Sequence, residues 1–368
     1  MHQSDICIAG AGIIGLTLAL ELQRRGARVT VLEQGTPLVE ASTAAAGMLA
    51  ANDSHNPPEM RPLADLSLSL YPAFLEQLRN LSGMVVPFQT STTLQGVPSH
   101  LADDVLPSLT PEELHQVVPQ LVPGDRCFVL LDEHSLDPRQ LATALLAAIG
   151  ATTIDLRTQA RVVSIHSWHE SVEVQTTSGT FHCAQFVDCT GAWASGAWAP
   201  GSSTLPRLDI LSSISPRKGQ MLAVALPDTL QLRMVVRTSE IYIVPRREGP
   251  NAGRAVIGAT IEDVGFDKTV HSADIARLRS RAASLLPELA SAHMVESWAG
   301  LRPATSDGLP LLGLVRGQSR CFLASGHYRN GILLAPATAH VMAQLLSGEE
   351  PSIELASFSP SRIFRTGG

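Results

Sequence analysis

The stretch Asp5–Glu33, DICIAGAGIIGLTLALELQRRGARVTVLE, decides the fold. Its first five residues are a short apolar run that reads as a buried strand, and 27–33 (ARVTVLE) reads as a second. Between them, 13–25 carries apolar residues at Ile14, Leu18 and Leu22, the spacing of a helix, with Gly26 placed to end it. The turn into that helix is Gly10-Ala11-Gly12-Ile13-Ile14-Gly15. Gly10 permits the tight turn, Gly12 lets the backbone approach a pyrophosphate, and Gly15 lets helix and strand pack closely. The helix N-terminus offers free N–H groups and partial positive charge to phosphates. Glu33 closes the second strand, where a carboxylate can accept hydrogen bonds from a ribose. A glycine turn alone is weak; with strand, helix, strand and acid in place it predicts a doubly wound, Rossmann-type α/β unit that binds a dinucleotide.

Outward from this unit the chain alternates between helix-spaced and strand-like blocks. Residues 54–62 are polar and proline-rich and read as a loop, and 63–81 return to helical spacing. From 83 to 135 there are strand-like pieces with proline breaks and no sustained helix. PRQLATALLAAI (138–149) is a helix with Pro138 at its start. RVVSIHSW, SVEVQTTS and TFHCAQFVDCTG follow as strands, then a β-rich block over about 206–266 that ends in IYIVPRR and RAVIGATIE. A helix is predicted at 273–286, a strand at 321–325 and a last helix near 335–346. This order suggests a discontinuous nucleotide domain (1–82, 136–205 and 300–368) and a substrate domain inserted into it (83–135 and 206–299).

The bulk composition limits the function classes. The chain has 368 residues, 45% of them hydrophobic and 17% charged, which suits two packed domains rather than disorder. A formal charge of -7 and an aromatic content of 4% argue against nucleic acid as a partner. The apolar runs are too short for a membrane span. Five scattered cysteines, with no basic leader-like start, point to a reducing cytoplasm. His166 and His169 have no further ligand nearby, so no metal is expected.

Three more segments carry candidate chemistry. Ala41-Ser42-Thr43-Ala44-Ala45-Ala46-Gly47-Met48-Leu49 is a run of small residues that lets backbone lie against a flat ring, with Ser42 and Thr43 available to phosphate. In Trp298-Ala299-Gly300-Leu301-Arg302-Pro303 the Arg302 guanidinium suits bidentate carboxylate recognition. Gly326-His327-Tyr328-Arg329-Asn330-Gly331-Ile332 lies between an apolar strand and a helix, where N–H groups can meet an anionic edge. By themselves these residues leave FAD and NAD both open, and either arginine could be a structural ion-pair member.

Taken together, AGAGIIG, TAAAGML, IYIVPR with VIGAT, WAGLRPAT and GHYRNGILLAPAT resemble the D-amino acid oxidase superfamily of FAD amine oxidases. The closest likeness is to glycine oxidases of the thiamine-pathway type, over nearly the whole chain. The resemblance implies a Rossmann-type FAD domain with a substrate domain built on a large antiparallel sheet. FAD contacts would fall on Gly10, Gly12, Ile13, Ile14 and Gly15, then on Glu33 and Gln34. They would continue at Ala41, Ser42, Thr43, Ala46, Gly47 and Met48, at Val162 beside the adenine, and at Gly191. The run His327, Tyr328, Arg329, Asn330, Gly331, Ile332 and Leu333 would border the ring system. Arg302 and Tyr242 would hold the substrate carboxylate, with Arg329, Met48 and Ala50 around it. Ala50 departs from the glycine oxidase pattern, which has a glycine there. Some members attach flavin through a cysteine near position 301; Leu301 cannot, so FAD would be noncovalent.

The implied reaction is oxidative deamination of glycine, sarcosine or a small D-amino acid by hydride transfer to FAD, with no side chain assigned as base. Dioxygen would be the second substrate and hydrogen peroxide a product, with a place in thiamine biosynthesis. A dehydrogenase passing electrons to another acceptor stays open, as does a homo-oligomeric assembly.

Overall fold

The computed structural model describes residues 2–99, 107–194 and 213–365. The Asp5–Glu33 unit forms strand β1 (His2–Ala9), helix α1 (Ile13–Arg24) and strand β2 (Val29–Leu32), with β1 and β2 parallel. Gly26, at φ +93°, turns the chain out of α1 as its position suggested. After a one-turn helix α2 (Ala41–Ala44) comes the long α3 (Arg61–Ser82), ended by Gly83 in the left-handed region. Strand β3 (Phe88–Pro98), a short α4 (Pro111–Val117) and β4 (Arg126–Leu136) fill the region read as lacking a sustained helix. The helix α4 is held by a capping box between Thr110 and Glu113. Then come α5 (Pro138–Gly150), β5 (Asp155–Arg157), β6 (Val162–Ser167), β7 (Val172–Thr176) and β8 (Gly179–Asp188). The chain continues through β9 (Ser215–Ala225), β10 (Val235–Arg237), β11 (Tyr242–Arg246) and β12 (Arg254–Gly258) to α6 (Ser272–Leu285). It closes with β13 (Met294–Ala304), β14 (Leu311–Leu314), β15 (Cys321–Ser325) and α7 (Gly331–Leu346).

Two sheets result. The first runs β14-β15-β8-β1-β2-β5, parallel from β15 to β5, with the β6–β7 hairpin added at β8. The second runs β13-β9-β12-β11-β10-β3-β4 and is antiparallel except between β10 and β3. This is the mixed α/β architecture expected, but the first sheet carries its helices on one face and the β6–β7 hairpin on the other rather than being doubly wound, and it is joined to a large, mostly antiparallel sheet. The strand β13 carries Gly300 to Ala304 into the second sheet, so the chain leaves that sheet a few residues later than the spacing suggested. The division between 205 and 206 falls outside the described residues. No described helix is long and apolar enough to cross a membrane, and no described cluster of His, Cys, Asp or Glu could hold a metal ion. All five cysteines are free thiols.

The core beneath the first sheet packs α1, α3 and α5 with α7. Helix α7 contains Pro336, which has no N–H for the carbonyl of Ile332. Tyr71 of α3 donates its hydroxyl to that carbonyl. Ser67, one turn earlier, donates to Leu333 O at 2.6 Å and accepts from Ala337 N–H at 3.2 Å, bridging the gap the proline ring opens. Two buried hydroxyls thus fix the start of α7, and with it the loop ahead of it.

Candidate active site

The glycine turn and the second sheet face one cavity of about 290 Å³. At its phosphate end Gly10 sits at φ +99°, and a Cβ there would lie 2.5 Å from Cys189 O. A Cβ on Gly15 would lie 2.0 Å from Gly10 O, so Gly15 serves helix–strand packing and does not line the cavity. Ile13 N–H donates to Ser42 Oγ at 2.9 Å, tying the small-residue segment to the helix start. Glu33 Oε2 accepts from Ala11 N–H and Oε1 from Gly35 N–H, both at 2.8 Å. Its carboxylate therefore braces the turn itself, and a carboxylate still has lone pairs for ribose hydroxyls. Gln34, Val162 and Gly191 line the same end.

The segment 44–49 is stapled to the second sheet. Trp298 Nε1 donates to Ala44 O at 3.1 Å, and the buried Arg246 donates to Ala46 O at 2.8 Å. Gly47 O accepts from Leu136 N–H and Leu49 N–H donates to His134 O, so the segment runs along β4. A Cβ on Gly47 would meet Leu136 O at 2.1 Å. This places Ala41, Ser42, Ala46, Gly47, Met48 and Ala50 on the cavity wall. Thr43, expected to reach phosphate, does not line it: its hydroxyl turns back to Leu38 O at 2.9 Å.

Opposite lies the loop before α7. Tyr328 N–H donates to Pro303 O at 2.7 Å, which joins this loop to β13. His327 is buried and its Nε2 lies 3.0 Å from Thr338 Oγ1; burial pushes its pKa down to about 3, so the ring is neutral. His327, Tyr328, Arg329, Asn330, Gly331 and Ile332 all line the cavity. Leu333, expected with them, does not, since it points into the core beneath α7.

The far end is built on glycines. Arg302 lies over Gly219, where a Cβ would come 2.3 Å from both terminal guanidinium nitrogens. It donates to Thr260 O at 3.1 Å, with the Tyr242 hydroxyl within its electrostatic reach. Tyr242 in turn lies over Gly258, where a Cβ would come 2.5 Å from Oη. Burial pushes the Tyr242 hydroxyl pKa up, against the opposing pull of Arg302, so the phenol stays protonated and able to donate. Arg329 completes the group, with Nη2 at 3.4 Å from Asp53 Oδ2. Burial would raise the Asp53 pKa, but Arg237, Arg329 and hydrogen bonds from His55 outweigh it and hold the carboxyl below its usual range. Asp53 and Arg237 line this end and were not singled out in the sequence. Arg237 had a signal, a cation directly after the apolar run MVV that a short turn brings opposite Tyr242. Asp53 had none, being one polar residue in a polar loop.

The glycine turn and the Arg302–Tyr242 pair thus share one cavity. Residues 5–345 match the family described as FAD dependent oxidoreductase (DAO). The chain belongs to this family. A glycine oxidase of Geobacillus kaustophilus is 33% identical, the match covering 98% of this chain and 97% of that protein. The bifunctional protein ThiO/ThiG of Trichormus variabilis is 36% identical over 98% of this chain but only 55% of its own length. The crystal structure of the Geobacillus kaustophilus glycine oxidase superposes with a TM-score of 0.87, covering 98% of this chain and 99% of that one. As a member of the DAO family the protein is an FAD-dependent oxidoreductase acting on amino acids. The geometry fits that cofactor: Gly10 and Gly47 let the backbone pack close against Cys189 O and Leu136 O, a Cβ on Gly12 would meet only Ser42 Oγ at 3.4 Å, and the start of α1 faces the cavity.

Proposed function

We propose that the protein oxidises glycine or a similar small amino acid, such as sarcosine or a small D-amino acid. The products are the oxo acid, ammonia or an amine, and hydrogen peroxide, and the reaction belongs to thiamine biosynthesis. The observation that carries this reading is the pair Arg302 and Tyr242, held side by side above Gly219 and Gly258 in the cavity that also holds the glycine turn. A guanidinium and a phenol donor present the charge-assisted hydrogen bonds an α-carboxylate accepts.

In this reading the turn residues Gly10, Gly12, Ile13 and Ile14, with Ser42, hold the pyrophosphate. Glu33, Gln34 and Val162 take the adenosine side, and Ala46, Gly47, Met48 and the 327–332 loop border the ring. Leu301 offers no nucleophile for a covalent bond, so binding is noncovalent. FAD supplies the hydride acceptor and, with dioxygen, the route to peroxide. The protein supplies orientation: Arg302 and Tyr242 fix the carboxylate, and so the direction of the α-hydrogen. An amine bound unprotonated has its nitrogen lone pair free, so no side-chain base is needed. His327, neutral and bonded to Thr338, fixes the loop without exchanging a proton at working pH.

The test is a substrate panel read by oxygen uptake and peroxide formation. Glycine or another small amino acid should give ammonia (methylamine from sarcosine) and peroxide in equal amounts. Amino-acid oxidation without peroxide would replace the oxidase by a dehydrogenase, and no turnover of any amino acid would overturn the reading.

A further inference from the structure

One row of residues crosses the second sheet beneath the cavity. The register sets Arg237 opposite Tyr242, Tyr242 opposite Gly258, Gly258 opposite Met221 and Met221 opposite Trp298. Directly opposed residues of antiparallel strands put their side chains on the same face, with Cβ atoms about 5 Å apart. Arg237 is therefore the neighbour of Tyr242 on the side away from Gly258, and both line the cavity.

The Arg237 side chain is buried, at 4% exposure, and only partly partnered. Its Nε donates to Gln95 Oε1, but neither terminal nitrogen has a hydrogen-bond acceptor. Glu133 Oε2 lies 3.1 Å from Nη2, close enough for an ion pair yet off the line of the N–H, and that oxygen accepts no hydrogen bond either. A buried guanidinium with open N–H groups at a cavity wall calls for an acceptor oxygen from a ligand.

The local charge decides which acceptor. Arg237 is matched by Glu133, and Arg329 by Asp53, two cations against two anions. Arg302 is engaged by the α-carboxylate in the function proposed above. A second carboxylate would bring a fourth negative charge against three cations, with none left to match it. A carboxamide keeps the balance: its oxygen can accept from Arg237 and its N–H groups can donate to Asp53.

Resting on the proposed function, we infer that the end of the cavity at Arg237 is a side-chain subsite for an amino acid ending in a neutral carboxamide. It favours asparagine-like substrates over isosteric acidic or apolar ones.

The test uses the FAD-loaded wild-type enzyme with asparagine, aspartate and leucine, three side chains of nearly one shape that differ in their ends. Each is assayed as both enantiomers and ranked within the enantiomer that reacts, with glycine alongside. The expected result is a kcat/KM for asparagine about tenfold or more above that for leucine and for aspartate. In Arg237→Met, which keeps the stem but removes the donors, the asparagine-to-leucine ratio should fall to about one. If that variant fails to fold or hold FAD, the wild-type ranking decides alone. Oxidation of glycine with leucine or aspartate equal to or better than asparagine, or with none of the three reacting, overturns the subsite and leaves the proposed function standing. An asparagine preference that survives in Arg237→Met also overturns it. No reaction with any amino acid, glycine included, overturns both.

Discussion

Replacing Gly219 by alanine tests the carboxylate clamp without removing any atom of it. The new Cβ would sit 2.3 Å from Nη1 and Nη2 of Arg302, while ordinary contact begins at 3.4 Å, so the guanidinium must move by 3.4 − 2.3 = 1.1 Å. The fold should tolerate the change. Gly219 lies within β9 and is not among the positive-φ glycines, and what it displaces is the end of a flexible side chain. Charge, burial and the FAD end of the cavity stay as they were. A misplacement of about 1 Å in a substrate-positioning group costs on the order of 10²-fold in rate, which is about 2.7 kcal/mol of transition-state stabilisation. The assay is kcat/KM for glycine with Gly219→Ala, with the flavin spectrum and melting temperature measured on the same sample. The expected result is a loss of about two decades at nearly unchanged melting temperature. Unchanged kcat/KM with bound FAD would refute the placement of the clamp at Arg302.

Three further predictions follow from other contacts. Glu33→Ala removes the acceptor for Ala11 and Gly35 N–H along with the proposed ribose contact, and should weaken FAD binding about tenfold or more; equal affinity in a flavin titration would show the acid is misassigned. Tyr71→Phe strands the Ile332 carbonyl that Pro336 leaves free, at a cost of about 1–3 kcal/mol, and should lower the melting temperature by several degrees. An unchanged melting temperature would mean that another donor reaches the carbonyl. His327 is held neutral in the fold with a pKa near 3 against about 6.5 when unfolded, so the stability it confers is complete above about pH 6.5 and is lost as pH falls towards 3, by about 1.4 kcal/mol per pH unit. His327→Gln should thus lag ever less behind wild type in melting temperature from pH 7 to pH 4, and a constant difference would contradict the assignment.

Much of the nucleotide unit was legible because its signals are local. The apolar runs, the glycine turn and Gly26 lie within one stretch of chain, and each demands a particular backbone irrespective of what packs around it. The capping box at Thr110–Glu113 was missed, since it sits among prolines in a segment read as lacking a sustained helix. The site was harder to read wherever a residue's neighbours come from another sheet. Thr43 and Ser42 are adjacent and chemically alike, yet the one-turn helix sends one hydroxyl to Leu38 O and the other to the start of α1. Leu333 follows a run of cavity residues but begins the buried face of α7. Gly219 and Gly258 were overlooked, although a glycine inside a strand is itself a sign of close approach. What approaches them, Arg302 and Tyr242, depends on the order β13-β9-β12-β11, which no local pattern specifies.

The central claim is that Arg302 presents a small amino acid to FAD, and anaerobic mixing tests it most directly. Wild-type protein mixed with glycine in the absence of oxygen should lose its yellow flavin absorbance completely. Arg302→Ala should bleach with kcat/KM lower by roughly two to four decades, since breaking a buried charge pairing costs about 3–5 kcal/mol. A carboxylate-free amine should show no comparable difference between the two proteins. Flavin that no amino acid bleaches, or equal bleaching of wild type and Arg302→Ala by glycine, would contradict the account.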